Sequence, residues 1–210
     1  MKPRSNFPNT PRVRKPKPVT EVRLYHAAIY YLQRYSATAA HVATILQRKV
    51  QRWTKDEPDW AIGADEKIAA TVAKIVEQGF INDAIFAESR VRSLRRQGKS
   101  ATIIKQHLRQ KGVTDDTQVT EALDKGDTDF VQENSSGLRS FDDPEDDSDT
   151  VRALAEQQAL QRFIKRKRLL QSDELDTRQK DIAKILRGGF SWAIVKDTMG
   201  ALDDMVPEGD

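Results

Sequence analysis

Three glycines punctuate this chain in the same way. Gly79, Gly112 and Gly189 each have an apolar residue four positions earlier (Ile75, Leu108, Ile185) and another directly after (Phe80, Val113, Phe190). That spacing predicts a helix end at which glycine takes the left-handed C′ position and the next residue packs back on the last turn. Asn82 then stands as an N-cap, with Ile81 and Phe86 placed to clamp the start of a following helix. Gly98 closes that helix and Ser100 caps another. Turns this short join helices of roughly 10 to 16 residues, the range of packed helical units.

The segments between these stops carry a helical period. Leu24, Ala27, Ala28, Tyr31, Leu32 and Tyr35 fall on one face, and Val42, Ile45, Leu46, Val50 and Trp53 on another. The pattern returns in Ile68, Val72, Ile75 and Val76, in Ile103, Ile104, His107 and Leu108, and in Ile182, Ile185 and Leu186. Spacings of i, i+3, i+4 and i+7 bury one stripe per helix. No run of alternating apolar residues competes, so the expected class is all-α.

The pattern also repeats. A helix, Gly-Val and a second helix over 101–123 match a helix, Gly-Phe and a second helix over 180–199, and a similar pair with a longer insertion spans 38–76. Each pair has another helix before it. The reading is three tandem three-helix units with helix-turn-helix character, stacked into an elongated, curved body. The expected organisation is a disordered basic, proline-rich arm over 1–19, repeat one over 20–79 with a loop insertion at 54–63, and repeat two over 80–123. An acidic flexible linker over 124–148, repeat three over 149–203 and a tail over 204–210 follow. Phe130 and Val131 could extend the helix before the linker. A chain ending near Asp149 is expected to fold without the third repeat.

Charge is segregated beneath a net +3. Residues 1–23 hold seven Lys/Arg and one acid, residues 82–112 eight against Asp83 and Glu88, and residues 114–149 thirteen acids against Lys125 and Arg139. Basic faces beside an acidic stretch point to a polyanionic partner. There are no cysteines, which removes disulfides and thiolate chemistry and suits a reducing cytoplasm. No apolar run is long enough to span a membrane, and the charged N-terminus lacks the apolar core of a secretory signal.

The stretch Gly79-Phe80-Ile81-Asn82-Asp83 with Phe86-Ala87, then arginines, Gly98-Lys99, Ile104, Leu108 and Lys111-Gly112-Val113, resembles the central repeat of RecX proteins. Arg34-Tyr35-Ser36-Ala37-Thr38, followed by Val42 and Leu46, resembles the start of the first repeat's second helix. The resemblance covers roughly 20–200 and is specific over 75–123; the acidic linker and the loop at 54–63 depart from the compact pattern. It implies a non-enzymatic, cofactor-free monomer that lies in the groove of the RecA filament on single-stranded DNA. There it would restrain filament growth, ATPase, strand exchange and coprotease activity in DNA repair and the SOS response.

Two basic clusters are the candidate filament-binding faces. One comprises Arg90, Arg92, Arg95, Arg96, Lys99, Lys105, Arg109 and Lys111; the other Arg162, Lys165, Arg166 and Arg168, with Lys167 between them. Arginine's planar fork suits phosphate and carboxylate alike. Gly79, Phe80, Asp83, Phe86, Gly98, Leu108 and Gly112 are expected to be structural. His26, His41 and His107 lack metal-ligand spacing, and the acids of 142–149 lack the spacing of a calcium loop, so no metal is expected. Aromatic residues could stack bases, Trp60 in its loop foremost. The alternative function is a sequence-specific helix-turn-helix DNA binder. A nuclease would need clustered acids on an ordered element, and the dense acids sit in a low-complexity run. The fold reading is checked by far-UV circular dichroism and small-angle scattering, which are expected to show an almost wholly helical spectrum and an elongated particle.

Overall fold

The computed structural model describes residues 18–134, 148–172 and 174–203. Among them are nine α-helices and no strand. The helices are α1 (Glu21–Leu32), α2 (Ala39–Trp53), α3 (Ala64–Glu77), α4 (Asp83–Arg96), α5 (Ala101–Gln110), α6 (Asp116–Asn134), α7 (Ser148–Lys167), α8 (Leu175–Arg187) and α9 (Trp192–Asp203). A short 3-10 helix, Pro58–Ala61, lies in the segment read as a loop at 54–63.

Side chains written into the sequence start four of these helices. Thr20, Thr38, Asn82 and Ser100 each accept from the backbone N–H three residues on, at Arg23, His41, Ile85 and Ile103. Each such cap satisfies an N–H that the helix itself leaves orphaned, and losing one costs about 1 kcal/mol. Gly79, Gly98, Gly112 and Gly189 have φ values of 75°, 70°, 92° and 83°. Phe80 N–H returns to Ile75 O and Val113 N–H to Leu108 O, the bonds that define the predicted end.

The helices pack in threes. Leu24, Ala28, Val42, Leu46, Val50, Ile68 and Ile75 form the core of α1–α3. Ala87, Val91, Ile104, Leu108, Val119 and Leu123 form that of α4–α6. Ala159, Leu160, Ile185, Phe190 and Val195 form that of α7–α9. A fourth cluster, Phe130 and Val131 against Val151 and Ala155, joins α6 to α7.

Both junctions between the units use one device. Thr38, the N-cap of α2, donates its hydroxyl to Lys111 O; Ser100, the N-cap of α5, donates its own to Gly188 O at 2.7 Å. Each accepting carbonyl immediately precedes a left-handed glycine. A Cβ at Gly112 would lie 2.3 Å from Ala40 Cβ; one at Gly189 would lie 2.6 Å from Ser100 Oγ and 3.2 Å from Thr102 Cβ. Thr38 and Ala40 therefore hold the register that Ser100 and Thr102 hold one unit on. The first junction is reinforced by Asp83, whose Oδ1 accepts from Ala39 N at 3.0 Å. The outer ends differ: α8 starts at Glu174 with no side-chain cap, and α2 closes at Thr54 rather than at a glycine.

Four expectations are corrected. The linker read over 124–148 is α-helical to Asn134 and again from Ser148; residues 135–147 lie outside the described residues. Helix α6 continues because Gly126, Phe130 and Val131 extend its buried stripe. A Cβ at Gly126 would strike Val91 Cγ1 at 2.6 Å, so the glycine that reads as a linker residue instead lets α6 approach α4. The arm expected over 1–19 overlaps the first core, because Val19 is 3% exposed; residues 1–17 and the tail 204–210 lie outside the described residues. Phe80 does not pack back on its helix: it is 54% exposed, whereas Val113 and Phe190 are buried. A chain ending near Asp149 would strip Val151 and Ala155 from fully buried Phe130 and Val131, so a cut there would expose the core that joins the third unit to the second. The staple at α4 is half made, with Ile81 buried and Phe86 half-buried.

Gly79→Ala and Gly112→Ala separate strain from packing. A Cβ at Gly79 would meet nothing within 4 Å, so this variant is expected to lose about 1 kcal/mol from the left-handed backbone alone. Gly112→Ala adds an overpacking cost of about 1–3 kcal/mol. Urea unfolding should show the larger loss for Gly112→Ala.

Candidate nucleic-acid interface

The charge pattern predicts that α4 presents its arginines outward. Its last turn does the opposite with Arg95, which is 1% exposed. Arg95 follows Val91 and Leu94 on the buried stripe, and the space it enters is lined by acids from two other helices. Its Nε donates to Asp127 Oδ1 at 2.7 Å and its Nη2 to Asp127 Oδ2 at 2.8 Å, a two-point fork. Its Nη1 donates to Lys99 O at 3.2 Å and to Glu156 of α7. Glu156 also accepts from Ala101 N at 3.0 Å, at the first turn of α5. Burial is the largest influence on both members of the Arg95–Asp127 pair and disfavours either charge. At Arg95 the two carboxylates outweigh it and hold the guanidinium above its ordinary pKa; at Asp127 burial outweighs Arg95 and leaves the carboxyl above its usual range. Arg95 thus belongs to the frame of the molecule and not to a binding face.

Most other arginines of the two clusters also have partners within the chain. Arg92 pairs with Asp129 at 2.9 Å, Arg96 with Glu133 at 2.6 Å and Arg109 with Asp116 at 2.7 Å. Arg90 Nε donates to His107 Nε2 at 2.9 Å, so His107 is an acceptor at the edge of the core. Arg162 bonds Asn134 and lies 4.9 Å over the Phe130 ring. The acids of α6 are therefore the counter-charge of the basic helix beside them. These pairs are solvent-exposed, and such pairs are weak.

The remaining cations are mostly lysines. Among the described residues no carboxylate pairs with Lys99, Lys105, Lys111, Lys165, Arg166 or Arg168. Lys105 lines a cleft of 370 Å³ with Arg95, Asp127 and Glu156. Lys165 and Arg166 are exposed on the last turn of α7, and Arg168 caps that helix with φ 52°, in the place that glycine fills in α4. Lys111 sits at the first junction, where with Arg48 it adds to burial in holding His41 below the ordinary imidazole pKa.

The structure gathers one group that the sequence does not assemble. Lys99, Lys167, Lys184 and Arg187 line a groove of 620 Å³ at the junction of units two and three, with Phe163, Leu169 and Gly188 as its other walls. They come from three places: the α4–α5 turn, the end of α7 and the end of α8. The hydroxyl bond from Ser100 to Gly188 O joins the first and last of these, and Phe163 of α7 lies against both Gly98 and Gly188. Lys184 pairs with Asp181 at 2.9 Å. Asp181 also accepts from Leu170 N; that bond, then Lys184, holds its carboxyl below the usual range. Among the described residues no acid lines the groove itself, so an anion placed there meets a net positive charge, offset only at Lys184 by Asp181, beside an apolar wall. Lys184 and Arg187 read in sequence as ordinary cations at a helix C-terminus, and only the junction shows that they face Lys99. Trp60 is half-buried, whereas Trp192 at the start of α9 is 56% exposed. No group of acids and histidines among the described residues could hold a metal ion.

A family model described as the second three-helix domain of RecX matches residues 82–123. The chain is 32% identical over 183 residues to a regulatory protein RecX of Myxococcus xanthus strain DK1622, covering 87% of each chain. Its fold is similar to that of a crystal structure of regulatory protein RecX, with a TM-score of 0.55 at 23% identity over 86% of this chain and 71% of the other. It is similar too to the crystal structure of RecX from Lactobacillus salivarius, with a TM-score of 0.52 at 21% identity over 88% and 97%.

Substitution distinguishes the buried arginine from the exposed ones. Arg95→Ala leaves Asp127 buried without its partner and is expected to cost about 3–5 kcal/mol. Arg96→Ala is expected to leave the thermal midpoint where it is, since both partners of its pair are solvated. Equal melting of the two variants would contradict this assignment.

Proposed function

The chain belongs to the RecX family, and from that premise we propose that it binds the RecA filament on single-stranded DNA and restrains it. It is a regulatory protein and not an enzyme. The observation that carries the reading is the groove of Lys99, Lys167, Lys184 and Arg187 between units two and three. Four cations converging on an apolar-walled groove fit a nucleic-acid backbone, whose phosphates release counterions on neutralisation.

The exposed cations Lys105, Lys165, Arg166 and Arg168 extend the same attraction around the third unit. Arg92 and Arg96 contribute only to the extent that an anion displaces Asp129 and Glu133. Three units on one chain touch several filament positions together, and modest contacts then combine through effective concentration, by a factor of about 10² or more. Tying neighbouring positions together slows filament growth and ATP turnover. Among the described residues no helix is long and apolar enough to cross a membrane, and the setting we propose is the cytoplasm, where recombination takes place.

Lys167→Glu/Arg187→Glu in the full chain tests the groove. The double variant is expected to keep its helical spectrum and melting temperature. It should need at least about tenfold more protein to inhibit RecA ATPase on single-stranded DNA. Its binding should also vary less with salt, the slope falling by about 0.7 for each phosphate no longer neutralised. Inhibition at the wild-type concentration would remove the groove from the interface.

A further inference from the structure

The first junction carries an aromatic face that the basic groove does not account for. Phe80 follows the left-handed Gly79 at the end of α3. At Gly112 and Gly189 the following residue is buried, with Val113 at 2% and Phe190 at 3% exposure, whereas Phe80 stands 54% exposed. The surroundings of Gly79 are also open, with nothing within 4 Å of a Cβ placed there. Phe80 and Tyr35 line a single groove of 370 Å³ between the α1–α2 and α3–α4 turns. Tyr35 is 57% exposed, and its ring lies 5.0 Å from that of Tyr31, which in turn lies 6.2 Å from His41. Tyr30, 54% exposed, carries the guanidinium of Arg34 at 4.3 Å over its ring. Arg34 is the charged residue among those lining the groove.

Large exposed apolar groups grouped on one face mark a contact surface. A protein partner is less suited to this one than a single strand, because the rings flank an open groove whose lining, among the described residues, holds one cation, Arg34, and no acid. Exposed ring faces next to an arginine fit planar, unpaired bases with a phosphate between them. We propose that Tyr35 and Phe80, with Arg34 beside them, stack successive unpaired bases of single-stranded nucleic acid at the junction of units one and two. The inference rests on the reading of the chain as a single-strand filament binder, and it adds a base contact to a phosphate contact made elsewhere on the molecule. Stacking is sequence-tolerant because every base has a π-face, so this surface would hold any unpaired strand without selecting a site.

The experiment separates stacking from charge. Fluorescence anisotropy of the full chain, without RecA, compares a labelled oligothymidylate with an abasic deoxyribose-phosphate strand of equal length. Wild type is expected to bind the strand with bases at least about fivefold more tightly. Tyr35→Ala/Phe80→Ala should bring the two affinities together while leaving the abasic strand's unchanged, and Tyr35→Phe should keep the preference. Lys167→Glu/Arg187→Glu should weaken both strands equally. Equal wild-type affinities, or a preference that survives Tyr35→Ala/Phe80→Ala, overturns the inference. Filament binding measured on the same variants keeps the two readings apart. If the charge-reversed groove alone abolishes it, the filament reading stands without base stacking; if only the base preference is found, stacking stands without the groove.

Discussion

A guanidinium buried to 1% exposure has to be answered on every side, and that requirement organises the middle of this molecule. Isolated in a medium of low dielectric, the charge would cost far more than any one contact returns. Asp127 answers it from α6, Glu156 from α7 and the carbonyl of Lys99 from the turn into α5. Four helices are thereby placed relative to one atom group, and Glu156 also closes the N-terminus of α5. An apolar side chain at 95 could fill the volume but would accept many relative rotations of α6 and α7. The fork accepts few, because two parallel bonds to Asp127 fix its plane. The basic groove inherits that placement: Lys99 gives its carbonyl to the triad and its side chain to the groove.

The helices are legible because their punctuation is local. A cap such as Asn82 or a stop such as Gly112 works through bonds three to five residues away, and sequence displays such bonds directly. Helix α6 is hard to follow past residue 123 because two of its features carry opposite meanings at different ranges. Gly126 and the acids read locally as a solvated linker, yet Gly126 is where α6 meets Val91 and Asp127 is a buried counter-ion. The apolar spacing of Val119, Leu123, Phe130 and Val131 is what carries the helix onward. The basic clusters mislead in the same direction. Charge density identifies the arginines of α4, but whether they face a partner or an adjacent helix depends on where α6 lies, and that is a tertiary fact. Lys184 and Arg187 escape a sequence reading for the complementary reason, since nothing within eighty residues of them in sequence reveals that Lys99 lies opposite.

The division of labour between the two cation types follows from their chemistry. Arginines, with planar forks suited to carboxylates, have been drawn into pairs with Asp129, Glu133, Asp116 and Asp127 inside the chain. Lysines are compact and strongly hydrated, and Lys99, Lys105, Lys165 and Lys167 stay at the surface. A polyanion reaching this protein would therefore meet solvated ammonium groups beside the exposed Arg166 and Arg168, while Arg95 is the arginine of α4 that is built into the body.

The hydroxyl-to-carbonyl joint between units has a direction. Each unit offers a hydroxyl at the start of its second helix to the glycine stop of the unit that follows. The last unit has Glu174 where the hydroxyl would stand, and the first has Thr54 where the glycine would stand. A stack built from one repeated joint could in principle be extended by another copy of the chain, end to end, into a filament of its own. Here, among the described residues, neither outer end carries its half of the joint, so the three units offer no matching pair of ends to one another. One joint thus sets the order of the units, and the residues that replace it at the two ends oppose growth of the chain on itself.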